Sequence, residues 1–301
     1  MVSGMDQVAD AIMRTSRPGP AVIEIRNGDI SVTLPEGHPG YGDERYIERR
    51  EWIAAAAIYA RSGDPAPHVV YSDNDRQVWQ LATEELRDLH RRHASALYLE
   101  SVSALNLPSH RPPQLREVSD AIEKETGFKM IPAAGSVAVR TFYGSLADRN
   151  FHAAQYIRHV SRPEFSPEPD MIHEVIGHGP HLVNDRWAHL YQLAGDAVRR
   201  LRRPEAVELV SRIFWFSIEC GLVAEGGEPK VWGASLMSST KELTHFQSAD
   251  IRPLDLADMA KQGYNSHARQ PVLFMADSHA HLEDFLGEFF TTIDDDSPYA
   301  V

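Results

Sequence analysis

The sequence predicts a mainly helical domain with small β elements, preceded by a β-hairpin. Three observations predict it. Apolar residues recur at three- and four-residue spacing through much of the chain after Asp43. Pro, Gly, Ser and Asp stand where helices begin and stop. Two β-prone runs, Val22–Ile25 and Ile30–Leu34, flank Asn27-Gly28, a strong hairpin signal.

In chain order, residues 1–20 carry no pattern. The hairpin of Val22 to Leu34 follows and ends in the turn-rich stretch Pro35 to Gly42. It reads as an appendage. Tyr46 to Ala60 reads as a helix, broken by Pro65, Ala66 and Pro67. Ser72 opens the next, with Asp75 three residues on in a capping-box arrangement. Val78, Ala82, Leu86, Leu89, His93 and Leu97 then form one helical stripe. Pro112-Pro113 starts another helix, with Leu115, Val118 and Ile122 inward and Gly127 as its stop.

Pro132 to Tyr143 holds β-prone pieces at Val137, Val139 and Thr141-Phe142-Tyr143. Pro204 suits a first helical turn, and Glu205 to Val223 reads as one long helix ended by Gly226-Gly227. A last helix is expected from Ser278 to Phe290. No repeat or low-complexity linker divides the chain, so one domain is expected.

Composition sets exclusions. The chain has 301 residues, 43% hydrophobic and 24% charged, ordinary globular fractions. A formal charge of −13 argues against nucleic acid as a partner. The lone Cys220 excludes an internal disulfide framework and a Cys-rich metal site, which suits a reducing cytoplasm. No stretch approaches the ~18 apolar residues of a membrane helix, and Met1 to Pro20 lacks a signal-peptide core. A cytoplasmic protein away from the membrane is expected.

The unusual number is the fifteen histidines, and the dense site is Pro167 to Pro180, containing His173-Glu174-Val175-Ile176-Gly177-His178. The histidines are five apart, about 140° around a regular helix. They can share a metal only if the helix distorts or ends between them, and Gly177, Gly179 and Pro180 offer that freedom. The protease pattern His-Glu-x-x-His, with histidines four apart, loses its geometric basis. A third ligand is offered by Glu219, a carboxylate inside the apolar run Ile213–Val223. Two histidines and one carboxylate make the facial triad of non-haem Fe(II) oxygenases. On the residues alone, a zinc hydrolase with the same three ligands, a Glu219–Arg pair and structural histidines stay open.

Several segments in order carry a resemblance to one family. They are Pro113–Ser119, Thr126-Gly127-Phe128, Gln155–His159, Pro167–Asp170, His173–His178, Trp215–Leu222, Gly233–Ser239, Gln270-Pro271 and Phe274–Ser278. Together they resemble the tetrahydropterin-dependent aromatic amino acid hydroxylases, over roughly Asp73 to Phe290. The resemblance implies that family's catalytic-domain fold and a non-haem Fe(II) monooxygenase using tetrahydrobiopterin or a related pterin, with O2 as co-substrate. It implies His173, His178 and Glu219 as iron ligands, and Glu174 beside the pterin and the iron waters. Arg158 matches the arginine that clamps the amino acid's carboxylate, and Asp170 the residue that steadies it. Ser166 stands where Thr is usual at another carboxylate contact, and Ser238 matches a serine bonded near an iron-ligating histidine. Trp215 and Phe216 would wall the aromatic pocket. Phe142 would stack on the pterin, whose hydrogen bonds would come from the Gly135–Val139 backbone, including Val137. The remaining histidines, His152, His159 and His181 among them, read as structural or solvated.

The departures concern the pocket. Phe214 stands where the family commonly has Tyr, and Ser235 replaces a usual Gly. Ser266 and His267 are polar where pocket residues lie, candidates to bind a substrate hydroxyl or to reset which ring carbon faces the iron. Trp215 is similar to the phenylalanine and tyrosine branches. L-Phenylalanine is therefore the expected substrate, hydroxylated at the para or meta carbon, with tyrosine and then tryptophan as alternatives. The expected organisation is an N-terminal extension over 1–45, a catalytic domain over 46–290 and a short tail over 291–301. Without room for a regulatory domain or a tetramerisation helix, a monomer is expected.

Overall fold

The computed structural model describes residues 21–26, 29–61, 63–164, 166–265 and 269–299. Asn27, Gly28, Ser266 and His267 lie outside the described residues.

The chain is mainly helical. β1 (Val22–Arg26) and β2 (Asp29–Thr33) pair antiparallel with Arg26 opposite Asp29, as the hairpin signal predicts. The hairpin is not a loose appendage. Val32 and Leu34 form a small core with Ala54, joined by Ile23, Ile47 and Ala134. The Ala21 N–H donates to Glu168 Oε2 at 2.7 Å. Ile23 lies so close to Gly135 that a Cβ there would stand 2.6 Å from it.

α1 (Glu44–Tyr59) follows its Asp43 cap. α2 (Asp73–His93) carries the expected Ser72/Asp75 capping box and buries Val78, Trp79, Ala82, Leu86 and Leu89. The single stripe expected through Leu97 is broken, because Ala94 turns extended and Ser95 caps α3 (Ala96–Leu105). α4 (Leu115–Thr126) stops at Gly127, whose φ of 74° a Cβ would disfavour.

β3 (Lys129–Ala133), α5 (Val139–Ala147) and β4 (Asn150–Ala154) make a βαβ unit with the two strands parallel. This corrects the expectation of β pieces at Thr141–Tyr143, which is helix. The cause is tertiary. α5 lies on α6 (Asp185–Arg200), where a Cβ on Gly195 would meet Ala147 N at 2.3 Å and Tyr143 O at 2.6 Å. That packing outweighs the β preference of Val139, Thr141 and Phe142.

The long helix expected over Glu205–Val223 is also shorter. α7 spans Pro204–Phe214, and Leu222 to Glu225 is β5. Gly226 and Gly227, with φ of 62° and 84°, turn the chain from β5 to β6 (Glu228–Val231) rather than ending a helix. β7 (Asp250–Pro253) and β8 (Val272–Ala276) complete a four-stranded sheet in the order β6-β5-β8-β7. α8 (His279–Thr292) starts at its Ser278 cap. Among the described residues, no helix is long and apolar enough to cross a membrane.

Candidate metal centre and active site

The five-residue spacing of the histidines is resolved by a π-helix. His173–His178 closes with i→i+5 bonding, the Gly179 N–H donating to the Glu174 carbonyl. The wider turn brings residues five apart onto one side. A second π turn, Trp215–Glu219, continues α7, with the Cys220 N–H bonded to the Trp215 carbonyl at 2.9 Å. Each candidate ligand thus sits at an end of a π turn. Gly177 serves by close approach, since a Cβ would lie 2.7 Å from the Ala234 carbonyl oxygen. Backbone freedom is not what either glycine supplies. Neither has positive φ, and Gly179 is helical at −51°.

The side chains of His173, His178 and Glu219 converge, with one candidate ligand atom from each within 4.8 Å of the others. The two Nε2 atoms are 3.0 Å apart. Glu219 Oε1 is 3.3 Å from His178 Nε2, and Oε2 is 3.9 Å from His173 Nε2. First-row ions hold such ligands at about 2.0–2.2 Å, so neighbouring ligand atoms stand about 3–3.5 Å apart. The Ser238 hydroxyl donates to the Ala234 carbonyl at 2.9 Å, so it accepts from His173 Nδ1 at 3.0 Å. That leaves the His173 Nε2 lone pair facing the other ligands.

Protonation states agree with a metal site. Burial, reinforced by neighbouring His178, lowers the His173 pKa to about 4. Burial opposes ionisation of Glu219, but His178, His173 and the Ser235 hydroxyl outweigh it and hold the pKa at about 2. Neutral imidazole beside carboxylate is what a divalent ion requires. The donor set fits iron, and its softness and geometry are those of the facial triad.

Beside the triad lies a cavity of about 240 Å³ lined by Gly135, Val137, Phe142, His152, Glu174 and the three candidate ligands. It opens beyond the carboxyl ends of β3 and β4, where ligand crevices of parallel sheets form. A neighbouring cavity of about 200 Å³ is lined by Val137, Val139, Phe142, Trp215, Glu219 and Tyr264. Glu174 accepts from the Ala154 N–H at 3.2 Å, and burial pushes its pKa well above the ordinary carboxylate value. Trp215 stacks on Tyr264 with ring centroids 5.0 Å apart.

Arg158 and Asp170 are both buried and paired. Asp170 also accepts from the His173 N–H at 3.2 Å, tying the arginine to the first π turn. Ser238 bonds His173, as the resemblance implies, and Ser235 donates to Glu219 Oε2 at 2.7 Å, so both reach candidate metal ligands. Other expected pocket contacts are placed differently. Phe216 is 1% exposed and packs edge-on against Phe274 and Tyr264, so it backs the pocket instead of walling it. The Ser166 hydroxyl donates to the Glu168 carbonyl at 2.5 Å and lines neither cavity. Sequence reasoning missed Tyr191, which is 2.7 Å from His178 Nδ1. In the sequence it reads as one more apolar position beside Trp187, Leu190 and Ala194.

A family model described as the biopterin-dependent aromatic amino acid hydroxylases matches residues 26–301. The chain belongs to this family. It is 43% identical over 260 residues to a phenylalanine 3-hydroxylase from Streptomyces coeruleorubidus, covering 86% of this chain and 93% of that one. It is 38% identical over 262 residues to the tyrosine 3-monooxygenase of Bos taurus, covering 85% of this chain and about half (53%) of the bovine one. In structure it is similar to the apo cold-active phenylalanine hydroxylase of Colwellia psychrerythraea 34H. That likeness has a TM-score of 0.71 and 26% identity, over 79% of this chain and 90% of that one. This hydroxylase thus has the family's pterin dependence, an aromatic amino acid as its substrate class, and the helical catalytic fold.

Proposed function

We propose that this hydroxylase is an iron-dependent monooxygenase that hydroxylates the ring of free L-phenylalanine at its 3-position, with a tetrahydropterin as reductant. The observation that carries the reading is the convergence of His173, His178 and Glu219 at the floor of a cavity bounded by Gly135, Val137 and Phe142. The 3-position is supported by the 43% identity to the phenylalanine 3-hydroxylase across nearly its whole length.

Iron and the reduced pterin, when bound, supply the activation of dioxygen. The chain's own residues hold and orient. His173 and His178 offer Nε2 and Glu219 offers Oε1, with Ser235 fixing the carboxylate from its other oxygen. Arg158 offers its outer N–H edge to the substrate carboxylate, a planar fork suited to bidentate binding. Phe142 gives the pterin a ring face, beside the Gly135 and Val137 backbone. Glu174, whose protonated form burial favours, is placed to hold a proton at Oε2, the oxygen not bonded to the Ala154 N–H. Trp215 bounds the substrate ring.

The test is incubation with Fe(II), a tetrahydropterin, oxygen and each aromatic amino acid in turn. Products are separated against ortho-, meta- and para-tyrosine standards. Meta-tyrosine from phenylalanine is expected. Para-tyrosine would overturn the ring position, and no oxygenated product from any of the three would overturn the reading.

A further inference from the structure

We propose that Tyr191 and His181 are positioning residues that fix the proton of His178 on Nδ1 and so keep its Nε2 available to a metal ion. The inference rests on the reading of His178 as a metal ligand and goes beyond it, since neither residue touches the ligand atoms.

One hydrogen-bonded chain links Trp232, His181, Tyr191 and His178 from a fixed end. The Trp232 backbone carbonyl can only accept. His181 Nε2, 3.1 Å away, therefore carries a proton. His181 is fully buried between a carbonyl and a hydroxyl, where an uncompensated charge is costly, so it is neutral and Nδ1 is bare. Tyr191 is also fully buried, and its phenol hydroxyl has a single proton to give. That proton must go to the bare His181 Nδ1, 2.8 Å away. The Tyr191 oxygen can then only accept from His178 Nδ1, at 2.7 Å. The neutral His178 ring then has its lone pair on Nε2, the atom that faces Glu219 and His173.

The parts are held rigidly. His181 lies flat on Trp232, ring centroids 4.1 Å apart and planes 16° from parallel. Tyr191 stands on α6 with its ring edge-on to His178, Phe151 and Phe214. The direction of the chain matters more than its presence. Without His181, the Tyr191 hydroxyl is free to donate to His178 Nδ1 instead, which moves the imidazole proton to Nε2 and blocks the ligand atom. His181 therefore acts on the metal only through Tyr191. The two effects must be non-additive.

The test uses Co(II) as probe on the metal-free protein, followed by visible absorption and titration, for Tyr191→Phe, His181→Phe and the double variant. Tyr191→Phe removes one oxygen and keeps the ring, and should weaken Co(II) binding about 10- to 100-fold. His181→Phe should weaken it in the wild-type background, yet change it less than about twofold in the Tyr191→Phe background. An equal cost of His181→Phe in both backgrounds overturns the relay, as does a Tyr191→Phe protein with unchanged Kd and Co(II) spectrum. If His181→Phe does not fold, the Tyr191→Phe comparison decides alone. Nitrogen-15 shifts of the His178 ring in the metal-free wild type read the tautomer directly, and a proton found on Nε2 also overturns the proposal. Wild-type protein that binds no Co(II) while His178 carries its proton on Nδ1 would instead sink the metal-site reading and leave the relay standing.

Discussion

Arg158 is held by Asp170 through two parallel hydrogen bonds, Nε to Oδ2 at 2.9 Å and Nη2 to Oδ1 at 2.7 Å. The Arg158 backbone N–H reaches the same carboxylate at 2.9 Å. One edge of the guanidinium is therefore fixed, while among the described residues Nη1 makes only a long 3.5 Å contact to the Pro163 carbonyl. A buried arginine anchored on one edge is pre-organised to receive a carboxylate on the other.

The first prediction follows from that edge. Arg158→Lys keeps the charge but cannot bond Asp170 and a substrate carboxylate together in fork geometry. Loss of a charge-assisted hydrogen bond of about 1.5–3 kcal/mol should raise the amino acid KM roughly 10- to 150-fold. The tetrahydropterin KM should not move. Steady-state kinetics with each substrate varied separately checks this, and an unchanged amino acid KM removes Arg158 from the clamp.

Ser235 supplies the second. Its hydroxyl donates to Glu219 Oε2 at 2.7 Å and so leaves Oε1 turned toward His178. Ser235→Ala should free the carboxylate to rotate and weaken Fe(II) or Co(II) binding about tenfold or more. Thermal melting of the metal-free protein should change little, because the side chain is small and only partly buried. Equal metal affinity in variant and wild type would show that Glu219 is oriented by other contacts.

How much of this was legible in the sequence depends on whether the cause is local. The histidine spacing demands a distorted helix, and the π turn at His173–His178 is that distortion. The caps at Ser72, Gly127 and Ser278 bond within four residues of themselves, and each falls where expected. Phe142 is different. Its neighbours Val139 and Thr141 favour strand, and only the contact of α5 with Gly195, some fifty residues on, makes the segment helical. The end of α7 is likewise non-local. A Cβ on Gly233 would strike the Glu219 carbonyl at 2.4 Å, and Leu222 pairs with Met275. No window of sequence around Glu219 contains either partner. Ser238 falls beside an iron-ligating histidine, as the resemblance implies, whereas only the folded bond to Glu219 reveals what Ser235 orients.

Gly177 gives the third prediction. The turn Ala234–Met237 carries Ser235, with Ser238 just after it, and approaches the first π turn at the one residue lacking a Cβ between the two histidines. Gly177→Ala places a methyl 2.7 Å from the Ala234 carbonyl oxygen. Overpacking of this kind costs about 1–3 kcal/mol, readable as a lower urea midpoint. Both serine bonds should loosen together, so metal affinity should fall further than in Ser235→Ala. The two substitutions combined should cost less than the sum of their separate effects. Strict additivity would mean that the methyl is accommodated without moving Ser235.

The last prediction concerns acid. His90 is 6% exposed, with Nε2 2.7 Å from the Met237 carbonyl and its ring edge-on to Tyr98. Burial lowers its pKa from 6.5 to about 4, outweighing the opposing pull of the Met237 carbonyl. In the unfolded chain the same imidazole takes a proton near 6.5. Between those values the unfolded state binds more protons than the native one, so stability falls as pH is lowered through that window. Above pH 6.5 the group is neutral in both states and contributes no slope. At about 1.4 kcal/mol per unit, His90 should account for about 2–3 kcal/mol of lost stability by pH 4.5. His38 and His279, also held near 4 by burial, slope the same way, so the contribution is read by difference. Urea unfolding of wild type and His90→Gln from pH 7.5 to 4.5 makes that comparison. The variant, whatever its stability at pH 7.5, should lose less of it on acidification. Parallel stability curves for the two proteins would show that His90 takes its proton in the native state as easily as in the unfolded chain.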